Sequence, residues 1–147
     1  MDTKGKKIIL GSNSPRRKEL LSGLDIDFTV DTGNTFEEVY DEDTPHERIP
    51  EVLSEGKSYG FHRQLEADEI LVTSDTLVLC EERVMGKPHS REEAIDMLRH
   101  LSGKGHEVIT AVTVRDCCSC STVSDTARVY FKDLSDSEIG YYVDTYR

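Results

Sequence analysis

A short apolar strand that runs straight into a capped helix constrains this chain more than any other feature. Ile8-Ile9-Leu10 is followed by Gly11-Ser12-Asn13-Ser14-Pro15-Arg16-Arg17. The Ser14 side chain can accept from the free N–H groups of a first helical turn, and Pro15 suits the first helical position. Leu20, Leu21 and Leu24 then form one apolar stripe, and Gly23 marks the helix end. Such a turn points free backbone N–H groups, and the positive end of the helix dipole, away from the strand. Ser12 and Ser14 add hydroxyls, while Arg16 and Arg17 add bidentate donors suited to phosphate oxygens. It is not a P-loop, because the G-x-x-x-x-G-K-[ST] spacing is absent. Spacing alone leaves the alternative that Ser14 is only a cap and the arginines are solvated.

Three more helix starts read as capping boxes: Thr44 with Glu47, Ser90 with Glu93, and Ser135 with Glu138. The Ser90 helix carries Ala94, Met97, Leu98 and Leu101 at helical spacing and stops near Gly103. Pro50 falls inside the Thr44 helix and predicts a kink or a restart there. Strands are expected at Lys7–Gly11, Phe28–Asp31, Ile70–Ser74, Thr76–Cys80, Val84–Met85, Glu107–Arg115 and Thr122–Phe131. Ile8-Ile9-Leu10 and Ile70-Leu71-Val72 look buried on both faces. The last two strands form a hairpin across residues 116–121. Strands alternating with helices give an α/β fold: a mixed central sheet flanked by helices, with an antiparallel hairpin in the second half.

The length of 147 residues suits a single domain, 1–147, with no linker or repeat. A net charge of −11 disfavours nucleic acid as a partner, and a small polyanion would need a local cationic cluster. No apolar run is long enough for a membrane span, and the run after the basic N-terminus is too short for a signal peptide. A cytoplasmic location is therefore expected, and no membrane partner. The four cysteines, Cys80, Cys117, Cys118 and Cys120, make no disulfide framework and fit a reducing compartment.

Other residue groups suggest chemistry with less force. Asp75, in Ser74-Asp75-Thr76 at the end of an apolar strand, can hold a divalent cation or deprotonate water, although a turn aspartate is commoner. Lys87 is locked between Gly86 and Pro88, as a ligand-facing charge would be, and equally as a turn lysine would be. The acidic run 36–43, with Glu37 in it, reads as mostly solvated loop. Cys117-Cys118-Ser119-Cys120 contains a C-x-x-C, but a structural zinc site lacks a second ligand pair at suitable spacing. It reads as an exposed loop.

Together, Leu10–Leu21, Ser74–Thr76, Gly86–Pro88, Glu92–Ala94, Met97–Gly103 with His106, and Leu134–Ile139 resemble the Maf family of nucleotide pyrophosphatases. The resemblance spans nearly the whole chain in order and spacing. It implies a Maf-like nucleoside triphosphate pyrophosphatase fold and hydrolysis of a nucleoside triphosphate to the monophosphate and pyrophosphate. It also implies a divalent cation, usually Mg2+, with Mn2+ as a substitute, held by Glu37 and Asp75. Ser12, Ser14, Arg16, Arg17 and Thr76 would bind substrate; Asp75, Glu37, Lys57 and Lys87 would be catalytic. Ser-Pro-Arg-Arg with Asp-Thr resembles the family branch that prefers dTTP or UTP. The chain departs from the family at Leu53–Ser58, where alanines are usual, and in lacking a C-terminal segment that family members carry. From that absence, a homodimer or reduced turnover is expected. The alternative reading is a nucleotide-binding regulator of septum formation or cell division without significant turnover.

Overall fold

The computed structural model describes residues 5–37, 40–81, 83–85 and 90–146. In chain order they form β1 (Lys7–Leu10), α1 (Pro15–Gly23), β2 (Phe28–Val30), a 3-10 turn (His46–Arg48), α2 (Ile49–Tyr59) and β3 (Glu69–Cys80). Then come β4 (Arg83–Met85), α3 (Arg91–Leu101), β5 (Gly105–Arg115), β6 (Cys120–Tyr130) and α4 (Asp136–Tyr146). The strands make one six-stranded mixed sheet in the order β2-β1-β3-β5-β6, with β4 paired to β3. β1 runs parallel to both β2 and β3, so Ile9 lies between Thr29 and Leu71. β4 is antiparallel to β3. This is the mixed α/β sheet that the sequence implies.

The chain divides into two compact units, Met1–Thr76 with Thr110–Asp125, and Leu77–Ile109 with Thr126–Arg147. In the first, Ile9, Phe61, Leu65 and Leu71 form a buried cluster. Covering β3 there is α2, whose buried face includes Ile49, Leu53, Ser54 and Ser58. Its polar members are satisfied: Ser54 Oγ donates to Thr113 Oγ1 at 2.7 Å, and Thr73 Oγ1 donates to the Ser54 carbonyl at 2.9 Å. Burying hydroxyls costs little once they are paired in this way. In the second unit, Cys80, Met85 and Leu101 form a buried cluster, with Val78, Met97, Leu98 and Phe131 packed on it.

The caps behave as local chemistry requires. Ser14 accepts from Arg17 N, and Ser90 from Glu93 N. Ser135 and Glu138 form a reciprocal box: Ser135 Oγ accepts from Glu138 N, and Glu138 Oε1 accepts from Ser135 N. Gly103 ends α3 with φ +68°, a conformation that favours glycine. The hairpin forms as expected, with Asp116 N donating to the Ser119 carbonyl across its turn.

Several sequence expectations need correction. No Thr44–Glu47 box forms: Thr44 N bonds back to the Asp41 carbonyl, and Pro45 occupies the capping position of a short 3-10 turn. The restart expected at Pro50 does occur: α2 begins at Ile49 with Pro50 in its first turn, where a missing N–H costs nothing. Ile70–Ser74 and Thr76–Cys80 are one strand, β3, not two. Its first half alternates buried and half-buried positions, so Ile70 and Val72 are only partly covered. The α1 stripe is not a core face either, since Leu20 and Leu24 are exposed.

Candidate active site

The first unit places most of the sequence-selected residues on two neighbouring segments: the β1–α1 turn and the middle of β3. Gly11 leaves β1 with its N–H bonded to the Val72 carbonyl at 2.9 Å. A Cβ there would lie 3.0 Å from Thr73 Cγ2, so close approach to β3 favours glycine. The Ser12 hydroxyl then becomes the centre of the turn. It accepts from Ser14 N at 3.1 Å and from Arg17 Nη1 at 3.2 Å. The other arm of Arg17 donates to Thr76 Oγ1 at 3.4 Å, linking α1 to the residue after Asp75. Arg17 is half-buried, whereas Arg16 is exposed at the same helix N-terminus.

Lys57 reaches this strand from α2. Its Nζ donates to Asp75 Oδ1 at 2.9 Å and to the Ser74 carbonyl at 3.3 Å. Both side chains are largely shielded, with 22% and 14% of their surfaces exposed, which makes the attraction stronger than in a surface pair. Asp75 Oδ2 has no hydrogen-bond partner among the described residues. The aspartate is therefore oriented through one oxygen and open at the other.

Glu37 is exposed on the loop that follows Phe36. That loop is clasped to α2 by residues the sequence reading missed. Asn34 Nδ2 donates to the Lys57 carbonyl at 2.6 Å, and its Oδ1 accepts from Phe36 N at 2.7 Å. A Cβ at Gly56 would overlap the Phe36 ring, and one at Gly60 would meet Phe36 Cβ at 2.6 Å. The available signal was Gly56-Lys-Ser-Tyr-Gly60, two glycines one helical turn apart beside the candidate lysine. Gly56, in the stretch where alanines are usual in the family, is a seat for an aromatic ring. Ser58 of the same helix accepts from Arg115 of β5, at 2.8 Å on its Oγ and at 2.7 Å on its carbonyl.

Of the selected residues, then, Ser12, Ser14, Arg17, Thr76, Lys57 and Asp75 are joined by direct contacts or by chain adjacency. Arg16 shares their helix turn and Glu37 lies on the clasped loop. Lys87, with Gly86 and Pro88, lies outside the described residues. The Cys117–Cys120 segment is exposed as expected: all three of its thiols are exposed, and Cys117 Sγ lies 3.3 Å from Cys118 Sγ.

These features define an α/β protein with hydroxyl, guanidinium, ammonium and carboxylate groups gathered where two parallel strands meet two helices. The fold is similar to that in "Structure of a HAM1 protein from Coxiella burnetii", with a TM-score of 0.50 at 12% identity, covering 84% of this chain and 71% of that one. The Maf-like protein family matches residues 7–147, and the chain belongs to it. It is 43% identical over 141 residues to a dTTP/UTP pyrophosphatase of Bacteroides thetaiotaomicron, covering 96% of this chain and 73% of that protein. The similarly named protein of Phocaeicola vulgatus is 44% identical over 141 residues, with the same coverage. That of Porphyromonas gingivalis is 41% identical over 143 residues, covering 96% of this chain and 72% of that protein.

Proposed function

We propose that this chain is a nucleoside triphosphate pyrophosphatase that hydrolyses dTTP and UTP to the monophosphate and pyrophosphate. The observation that carries this reading is the Lys57–Asp75 pair beside the Ser12–Arg17–Thr76 network. A polyanion needs cations and donors fixed beforehand, and a reacting water needs a base with a free lone pair. Ser12, Ser14, Arg16 and Arg17 hold the phosphates at the α1 N-terminus, and Thr76 fixes the Arg17 fork. Asp75 accepts the proton of the attacking water through its open oxygen, while Lys57 keeps the carboxylate oriented. As the bond from the α-phosphorus to the bridging oxygen breaks, Arg16, Arg17 and Lys57 offset charge on the departing pyrophosphate.

The donor set fits a hard divalent cation. Mg2+ keeps several waters and is commonly held by one or two carboxylates plus substrate phosphates. Asp75 supplies such a carboxylate, and Glu37, on the loop clasped to α2, supplies the second. Bound there, Mg2+ would polarise phosphate oxygens and acidify water. Among the described residues no helix is long and apolar enough to cross a membrane, and a cytoplasmic setting suits free nucleotides as substrates.

The test is a panel of nucleoside triphosphates with Mg2+, reading pyrophosphate and monophosphate separately. The expected result is equimolar release of both, fastest with dTTP and UTP. Preference for a purine nucleotide would overturn the substrate, and heat protection by dTTP without any product would replace the enzyme with a binding protein.

A further inference from the structure

The hairpin tip between β5 and β6 carries a cluster that phosphate chemistry does not use. Asp116, Cys117 and Cys118 each offer a ligand atom, and these atoms lie within 4.8 Å of one another. The two thiols are exposed and 3.3 Å apart. The carboxylate is fixed in advance: Asp116 Oδ1 accepts from Cys118 N at 2.8 Å, Ser119 N at 2.7 Å and Ser119 Oγ at 3.1 Å. Oδ2 has no hydrogen-bond partner among the described residues.

We propose that Asp116, Cys117 and Cys118 form a site for one thiophilic divalent cation of the zinc class. Two zinc–sulfur bonds of about 2.3 Å at a tetrahedral angle separate the sulfurs by roughly 3.8 Å. The observed pair needs to open by only about half an ångström, which rotation at two exposed side chains supplies. On binding, each S–H gives its proton to solvent and each sulfur forms one bond to the metal. A carboxylate oxygen adds the third ligand and water the fourth, leaving an open coordination position. Sulfur donors select this class over Mg2+, which prefers oxygen. The site also explains why adjacent cysteines, rather than the Cys117–Cys120 pair, are the operative unit. Cys120 begins β6 and its thiol meets the Tyr59 hydroxyl instead.

The test uses the full chain, metal-free, reduced with a phosphine and held at mildly alkaline pH. Cd2+ serves as the probe through its ultraviolet thiolate charge-transfer band. One ion per chain should saturate the band, Zn2+ should displace it, and excess Mg2+ should not. C117S and C118S should each weaken binding at least tenfold, and D116N should weaken it severalfold, while C120S should change nothing. Cadmium NMR of the unaltered chain should report two sulfur donors with oxygen, a reading that does not depend on any variant folding. A band that survives C117S or C118S, requires Cys120, or never saturates at one ion overturns the proposal. So does a cadmium shift typical of oxygen-only or three-sulfur coordination.

Discussion

Asp75 combines a shielded carboxylate with one oxygen tied to Lys57, so a neutral isostere separates its charge from its shape. Asp75→Asn should keep the fold with a lowered melting temperature, because Lys57 loses its shielded partner, and should lower pyrophosphate release by at least about 10²-fold, the lower range for losing a general base. Near-normal release would remove Asp75 from the mechanism. The arginines should divide differently. Arg16 is exposed, so Arg16→Ala should weaken triphosphate binding by roughly 1.5–3 kcal/mol, as for a lost charge-assisted contact, with little change in unliganded stability. Arg17 also bridges Ser12 and Thr76, so Arg17→Ala should lower both affinity and melting temperature. Equal thermal effects from the two variants would contradict that bridge.

A second residue-scale consequence concerns acid. Glu69 receives both arms of Arg63, at 2.6 and 2.8 Å, together with Glu66 N at 2.8 Å. Arg63, followed by the Glu66 N–H, pulls its carboxyl from the ordinary 4.5 down to about 2. A carboxyl depressed in the folded state stabilises it above the unfolded value and loses that contribution as pH falls toward the folded one. Stability should therefore drop between about pH 4.5 and pH 2, and Glu69→Gln should flatten that part of the curve while lowering stability at neutral pH. Urea midpoints measured across this range check it. An unchanged slope in the variant would show that other carboxyls govern the acid limb.

At the scale of elements, α2 shows what was legible and what was not. Caps are local, so Ser14, Ser90 and Ser135 announced their helices, and their side chains make the expected bonds. The Thr44 signal failed because a competing turn to Asp41 used its backbone N–H. β3 looked like two strands because Ser74-Asp75 resembles a turn. Its polar side chains are tolerated because tertiary partners satisfy them, Ser54 for Thr73 and Lys57 for Asp75. Those partners are 18 or 19 residues away, beyond any local pattern. The Phe36–Gly56 clasp was invisible for the same reason. It leads to a paired test. Alanine at an ordinary helical glycine gains ~1 kcal/mol, but overpacking costs ~1–3 kcal/mol. Gly56→Ala should therefore lower both stability and the apparent Mg2+ affinity of hydrolysis, by displacing the loop that carries Glu37. With Phe36→Ala present, the same change should become neutral or stabilising. Additive effects in this cycle would show that ring and glycine act independently.

At the scale of the whole molecule, composition disfavoured nucleic acid as a partner but was silent on where the cations would gather. That grouping depends on β1 pairing in parallel with β3, which brings the turn after Leu10 beside the residues after Val72. The same contrast between global and local charge gives a kinetic expectation. The chain carries −11 overall, so a triphosphate approaching from a distance meets repulsion. Added salt shortens the screening length from about 30 Å at 0.01 M to about 10 Å at 0.1 M, which weakens this repulsion. Contacts to Arg17 and Lys57 act over a few ångströms in a partly shielded setting and are screened much less. At fixed free Mg2+, kcat/KM for dTTP should therefore hold steady or rise as ionic strength increases across that range. Proteins that bind phosphates on a broadly basic face lose affinity steeply over similar changes. A decline of tenfold or more here would mean that the local cations, and not the net charge, set the field a nucleotide meets on approach.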